Sequence, residues 1–132
     1  MKTYYDSGSD LLEVINVGEE SFAEDATKNL ALFYSEEDER FLGFALHNVS
    51  KNIKDLVHVP VVFRLAGLLR LYRESEGLTQ KELSERSGIS FRQIQNIEAG
   101  ETNASIASIS KIIDSFPSWD FSILMKPYKE SA

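Results

Sequence analysis

Hydrophobic residues recur with two different periods along the chain, and the period changes near residue 57. Before that point, apolar and polar positions alternate in short runs, which the turn-rich segments SGSD, GEES and SEEDE separate. Such alternation predicts half-buried strands. We predict an antiparallel meander with a short helix around residues 49–56 over one face, its strands lying near Lys2–Tyr5, Leu11–Val17, Lys28–Tyr34 and Arg40–His47.

The segment after Pro60 has a helical period instead. Leu65, Leu68, Leu69 and Tyr72 stand at i, i+3, i+4 and i+7, which predicts one amphipathic helix. A further helix is expected from Ser105, with its apolar side chains facing inward: Ile106, Ile109, Ile112, Ile113 and Phe116.

Two capping motifs lie between these helices. Thr79 to Glu82 is a T-x-x-E capping box, and Ser90 to Gln93 is its S-x-x-Q form, so two short helices begin 11 residues apart. Gly88 lies between them, where the first helix has to end in a left-handed residue and the chain has to turn. Two short helices joined by a turn that contains glycine predict a helix-turn-helix.

The net charge of −7 is distributed very unevenly. Residues 1–57 contain 12 acidic and 5 basic residues, whereas residues 58–132 contain nine of each. We therefore predict two domains, a small β domain of unknown function over 1–57 and a helical domain over 58–132. Because charges interact strongly only within about 8 Å at physiological salt, the acidic half does not prevent the other half from binding an anion.

The helical half closely resembles the Cro-like and cI-like (Xre) family of lambda-repressor-like helix-turn-helix regulators. The matching positions are Leu68 to Arg73, Gly77 to Gln80, Glu82 and Leu83, Ser87 to Ser90, Ile94, Ile97 to Gly100, and Ile106 to Ile112. The resemblance implies an α+β chain with a four-to-five-helix DNA-binding domain after the β meander. It also implies a buried ion pair between Arg73 and Glu98, base contacts from Phe91, Arg92 and Asn96, and a phosphate contact from Gln80.

Geometry alone also selects an outer face of the second short helix. With Ile94 and Ile97 turned inward, the 100° step turns Arg92, Gln95 and Asn96 outward. Arginine matches the major-groove edge of guanine, and asparagine or glutamine matches that of adenine, although a polar outer face can simply be solvated. Phe91 could meet a thymine methyl group or pack over the preceding helix. Further phosphate contacts are predicted from four polar or basic residues, Lys81, Arg86, Asn103 and Lys111.

The segment after Phe116 predicts a C-terminal β-strand. Phe121, Ile123 and Met125 alternate with Ser122, Leu124 and Lys126. This ending resembles that of antitoxin regulators in the same family, in which such a strand pairs with its twin across a dimer axis. The resemblance implies a homodimer held by Trp119, Phe121, Ile123 and Met125. The alternative is a strand that closes onto the sheet of its own chain.

The first half resembles a small bacterial domain family of uncharacterised function that is rich in antiparallel strands. The resemblance rests on Tyr5-Asp6-x-x-x-Asp10-x-Leu12-x-Val14, Leu30 to Tyr34, Leu42-Gly43-Phe44-x-Leu46 and Asn48 to Ser50. Asp6 and Asp10 are predicted to cap turns, because aspartates do so more often than they bind a metal in such positions; a metal site is the less favoured alternative. The acidic run Glu36 to Glu39 predicts a solvated loop, with toxin or cation binding as alternatives.

Catalytic motifs are missing from the sequence. It has two histidines, His47 and His58, no cysteine, no glycine-rich phosphate loop, and neither H-E-x-x-H nor G-x-S-x-G. We expect a cytoplasmic protein that is not an enzyme and has no cofactor, metal or membrane association. The leading hypothesis is a sequence-specific DNA-binding repressor that binds a double-stranded operator, with a toxin protein as a further partner if it is an antitoxin. The alternative is a protein-interaction module whose helix-turn-helix no longer binds DNA.

Overall fold

A computed structural model describes residues 2–16, 18–101 and 104–130. Within these residues an antiparallel sheet precedes a set of helices, so the predicted α+β class is confirmed. The strands are β1 (Lys2–Asp6), β2 (Leu11–Ile15), β3 (Ser21–Asp25), β4 (Leu30–Ser35) and β5 (Phe41–His47). The α-helices are α1 (Val49–Asn52), α2 (Val61–Ser75), α3 (Gln80–Ser87), α4 (Phe91–Glu98) and α5 (Ile106–Ser115). Two 3-10 helices cover Ile53–His58 and Ser122–Met125.

The sheet is antiparallel throughout, but it is not the predicted meander. Its strand order is β1-β2-β5-β4-β3, so β2 pairs with β5 and not with the next strand along the chain. The connection from β2 to β3 therefore crosses the ends of β5 and β4. Val17, which we placed at the end of the second strand, lies outside the described residues.

Strand β3 was not predicted from the sequence. All five of its residues are exposed, and it forms an edge of the sheet, where it pairs with β4 alone. Because neither of its faces is buried, its sequence SFAED carries no alternation of apolar and polar positions. Backbone hydrogen bonds rather than burial therefore define this strand.

Helix α2 packs directly on the sheet and contributes to a hydrophobic core that both halves of the chain share. A Cβ atom on Gly67 would lie only 3.0 Å from Leu12 Cδ2 and 3.1 Å from Phe44 Cζ, so glycine permits the close approach of helix and sheet. Within the sheet, a Cβ on Gly43 would lie 2.0 Å from the Val14 carbonyl oxygen, which only glycine avoids. The proposed boundary between residues 57 and 58 stays a prediction.

The C-terminal segment is not a strand, and that prediction is wrong. Residues Ser122–Met125 form a 3-10 helix in which Ile123 and Leu124 are buried while Met125 is 86% exposed. The predicted alternation fails because two consecutive residues face the core, and Met125, predicted to lie on the same face as Ile123, points to solvent. The segment docks on its own chain, although not as an additional strand of the sheet.

Aromatic side chains fasten this segment to α2. The ring of Trp119 stacks on Tyr72 at 4.6 Å between centroids, and Phe121 meets the same ring edge-on at 5.0 Å. The Trp119 indole N–H also donates to Glu76 at 2.8 Å. Three of the four residues predicted at a dimer interface, Trp119, Phe121 and Ile123, are thus engaged inside one chain.

Arg64 is fully buried and holds three segments together. Its guanidinium donates to the carbonyl oxygens of Val59 at 2.6 Å, Ile123 at 2.8 Å and Lys126 at 2.7 Å. A fourth bond reaches Val57 at 3.2 Å. Burial lowers the pKa of Arg64, and the carbonyl dipoles take the place of a carboxylate partner.

No helix in the described part of the chain is both long and apolar enough to cross a lipid bilayer.

Candidate nucleic-acid interface

Helix α3 begins with the capping box that the sequence predicts. The Thr79 hydroxyl accepts from the Glu82 amide at 3.0 Å, and the Glu82 carboxylate accepts from the Thr79 amide at 3.0 Å. This second bond is the main reason why the pKa of Glu82 lies below its usual range. The first turn of α3 is therefore fixed by its own side chains.

Helix α4 has only half of its predicted box. The Ser90 hydroxyl accepts from the Gln93 amide at 3.1 Å, but the Gln93 side chain does not return to Ser90. It donates instead to the Ser108 hydroxyl of α5 at 2.8 Å. The glutamine thus joins α4 to the next helix.

The turn between α3 and α4 depends on Gly88. This residue is left-handed, with φ of 75°, and its amide bonds to the Ser84 carbonyl. Leu83, Ile89, Ile94 and Ile97 are buried around the turn. These contacts fix the angle between the two helices, and they turn the polar face of α4 outward.

A buried ion pair supports α4 from behind. The Arg73 guanidinium donates through Nε to Glu98 Oε2 at 2.7 Å and through Nη2 to Glu98 Oε1 at 2.9 Å. Its remaining nitrogen donates to the Leu78 carbonyl at 2.7 Å. Removing one partner of such a pair typically costs about 3–5 kcal/mol because the other charge stays buried. The pair joins the end of α2 to the end of α4.

Arg92 and Gln95 are exposed on α4, Asn96 is partly buried, and the Phe91 side chain is 44% exposed. In the described part of the chain, no carboxylate lies within the 4.0 Å ion-pair distance of Arg92. The exposed guanidinium of Arg92 can therefore reach an external partner without first breaking an internal salt bridge.

Comparison with known families adds one match. Residues 69–117 match the helix-turn-helix family. This match covers α3, the turn, α4 and α5, and it identifies the unit that their geometry describes.

The chain contains a helix-turn-helix domain.

Such domains are DNA-binding regulatory units and not catalytic ones, so the match supports a DNA-binding regulator in general terms. No curated protein and no solved structure matched the chain significantly.

The predicted phosphate contacts of the helix-turn-helix domain lie in separate places. Gln80, the first residue of α3, donates to Glu98 at 3.3 Å and lies beside Gln95 in a small cleft. Arg86 and Lys111 line another cleft, of about 700 Å³, and Arg86 is paired there with Glu76 at 2.8 Å. Lys81 is exposed on α3, and Asn103 lies outside the described residues.

Helix α5 of this domain buries less apolar surface than its sequence predicts. Ile112 and Phe116 are buried and Ile109 partly so, but Ile106 is 85% exposed and Ile113 40% exposed. The helix is amphipathic, and its inward face is narrower than a count of its isoleucines suggests.

Asp6 and Asp10, which the sequence suggests as turn caps, have different roles. Asp6 accepts from the Gly8 amide at 3.2 Å and from the Ser9 hydroxyl at 2.6 Å, and the hydroxyl bond is the main reason why its pKa lies below the usual range. Asp10 accepts from the Ser50 hydroxyl at 2.5 Å and from the Ser50 amide at 3.1 Å. Asp6 therefore caps its own turn, as predicted, whereas Asp10 joins the start of β2 to the first turn of α1.

The contact between strand β1 and the helix-turn-helix domain was not predicted from the sequence. The Thr3 hydroxyl in β1 donates to the carbonyl oxygen of Glu98, the last residue of α4. Lys2 and Arg70 lie in the same small cleft as Gln80 and Gln95. No local signal marks this contact, because Thr3 and Glu98 are 95 residues apart.

Proposed function

We propose that the protein is a sequence-specific DNA-binding transcriptional regulator that represses the promoter to which it binds. The exposed face of α4 carries this proposal. Arg92, Gln95 and Asn96 offer the hydrogen-bonding groups that recognise purine edges in the major groove, and Phe91 offers an apolar surface for a thymine methyl group. The helix bearing them is held from behind by the Arg73–Glu98 pair.

The test is binding to a fragment that carries the protein's own promoter. We expect the wild-type protein to retard this fragment in preference to scrambled DNA, and Arg92→Ala with Asn96→Ala to remove the preference. A good bidentate base contact contributes about 1–3 kcal/mol of discrimination, so the ratio of the two affinities should fall at least about tenfold. Gel-shift competition at several salt concentrations measures that ratio.

A matched control removes the same chemical groups elsewhere. Arg40 directly precedes β5 and Asn52 is the last residue of α1, and both are remote in sequence from α4. The variant Arg40→Ala with Asn52→Ala should keep the wild-type preference. If the wild type itself shows no preference for its promoter at low salt, the repressor proposal is wrong and the protein-interaction module replaces it.

The proposed homodimer has to use a surface other than a C-terminal strand. A dimer remains part of the proposal because palindromic operators favour proteins with two-fold symmetry. A dimer would also double the number of basic side chains that can neutralise DNA phosphates. Light scattering with and without operator DNA tests the dimer, and a monomer bound to a full operator would contradict it.

The antitoxin role also depended on the strand ending. Because residues 119–125 fold onto their own chain, the resemblance that suggested a toxin partner has lost its structural basis. We retain the antitoxin role as a narrower proposal, tested by co-expression with the adjacent reading frame. Co-purification of that product and relief of its toxicity would support it, whereas a harmless product that does not bind would exclude it.

A further inference from the structure

A cleft of about 330 Å³ lies between strand β1 and helix α4. Residues from four elements line it, namely Lys2, Thr3, Arg70, Gln80, Gln95, Glu98 and Ala99. Two of them, Gln80 and Gln95, were predicted from the sequence to contact DNA, whereas Lys2 and Thr3 belong to the β half. The cleft is the place where the sheet meets the candidate nucleic-acid interface.

Strand β1 is held in this position at both the backbone and the side-chain level. Its residues Lys2 to Asp6 pair in register with β2, and Lys2 itself is opposite Ile15. The Thr3 hydroxyl bonds the carbonyl of Glu98, which, as one of the last in α4, has no partner within the helix. The position of Lys2 relative to α4 is therefore fixed by the fold.

The chemistry of the cleft favours an anion. Two cations, Lys2 and Arg70, line the cleft against a single carboxylate, Glu98, and Arg70 is itself paired with Glu74 at 2.9 Å. The Glu98 carboxylate is already bound by Arg73 and by the Gln80 amide. The charge left for an incoming anion is therefore that of Lys2, for which no carboxylate lies within 4.0 Å in the described part of the chain.

The position of the cleft indicates which anion would reach it. Gln95 belongs both to the cleft and to the outward face of α4. A duplex that presents base edges to this face also brings the phosphates of one strand past the edge of the helix. A backbone phosphate is the group that meets these donors when α4 enters the major groove.

We propose that β1 is part of the DNA interface, and that Lys2 binds a backbone phosphate next to the bases that α4 contacts. This inference depends on the proposed DNA-binding function and extends it to the β half of the chain. The Thr3–Glu98 bond positions β1 for this contact, and Gln95, which lines the same cleft, offers an amide donor to the same phosphate. The sheet therefore adds a phosphate contact that the helix-turn-helix domain lacks on its own.

The test is the salt dependence of DNA binding by Lys2→Ala. Each phosphate contact contributes about 0.9 to the slope of log K against log salt, so the magnitude of the slope should fall by about 0.9 per protomer. Affinity should weaken for promoter and scrambled DNA alike, because a phosphate carries no sequence information. Lys28→Ala is the matched control, since Lys28 is exposed and lies between β3 and β4, at the opposite edge of the sheet.

Two outcomes distinguish a failure of this inference from a failure of the proposed function. If wild-type protein prefers its promoter but Lys2→Ala keeps the slope of Lys28→Ala, β1 lies outside the interface and only this inference is overturned. If the wild type binds no DNA at low salt, both are overturned. A slope that falls in Lys2→Ala and not in Lys28→Ala supports the phosphate contact.

Thr3→Val tests the positioning step separately. It keeps Lys2 and removes the bond to Glu98, so we expect DNA affinity to fall severalfold while the thermal melting curve keeps a single transition. Wild-type affinity in Thr3→Val would overturn the positioning role of the hydroxyl.

Discussion

At the scale of single residues, Arg64 and Tyr72 of α2 decide where the C-terminal segment lies. Arg64 is buried with carbonyl oxygens as its partners, two of them at Ile123 and Lys126. The Tyr72 hydroxyl donates to the Asp120 carbonyl, and its ring packs against Trp119 and Phe121. Neither role is visible in the sequence, where Arg64 interrupts an apolar run and Tyr72 looks like one more core residue.

Tyr72 makes stability sensitive to alkaline pH. Burial, assisted by the nearby charge of Asp120, raises its pKa from 10.0 to about 12. Below pH 10 the phenol keeps its proton in both folded and unfolded chains. Between pH 10 and about 12 the unfolded chain loses that proton first, so the free energy of unfolding should fall, by about 2–3 kcal/mol in all.

Urea unfolding of wild type and Tyr72→Phe from pH 9 to pH 12 measures this effect. The difference in unfolding free energy between the two proteins should shrink as the pH rises through that range, because only the wild type has this phenol. Tyr4→Phe, which removes a half-exposed phenol from β1, serves as the control. A wild-type advantage that stays constant with pH would contradict the assignment.

At the scale of elements, the sequence predicts the helices of the DNA-binding half better than the strands. The caps at Thr79 and Ser90 and the turn at Gly88 are local, so their residues are sufficient to place α3 and α4. Edge strand β3 has no buried face to reveal it. The run from Phe121 to Met125 alternates as a strand would, but its conformation depends on Tyr72 and Arg64, which are distant in sequence.

Removing the C-terminal segment should therefore destabilise the fold rather than split a dimer. A chain that ends at Ser118 loses the stacking on Tyr72 and leaves Arg64 without its bonds to Ile123 and Lys126. We expect a large fall in melting temperature, measured by far-ultraviolet circular dichroism. A chain that ends at Glu130 keeps the aromatic contacts with Tyr72 and the bonds to Arg64, so it should melt like the wild type.

The opposite result would restore the sequence-based hypothesis. If the chain that ends at Ser118 keeps its helical spectrum and melting temperature while its mass by light scattering halves, the segment is a dimer contact and not part of the core.

At the scale of the whole molecule, the chain combines two charge patterns around one hydrophobic core. The first 57 residues carry the acidic excess, yet the same core cluster includes Leu12 of the sheet, Leu68 of α2 and Leu124 of the C-terminal segment. The change of period near residue 57 marks a change of secondary structure correctly. It could not show that α2 packs on the sheet, because that contact joins residues such as Gly67 and Leu12, far apart in sequence.

A shared core predicts that both halves unfold together. Trp119 is the single tryptophan and reports on the packing against α2, whereas far-ultraviolet circular dichroism reports on helices and sheet. We expect both signals to give one urea midpoint, since separating α2 from the sheet would expose the apolar residues of both. Two separated transitions would instead favour independent domains with a boundary at residues 57 and 58.

The bonds of Arg64 also determine when the protein can fold during its synthesis. Its partner at Lys126 lies 62 residues further along the chain. Until that segment has left the ribosome, the guanidinium can reach Val57 and Val59 but cannot be buried with all of its hydrogen bonds satisfied. Helix α2 can form early, whereas its final packing waits for the residues that follow the helix-turn-helix domain.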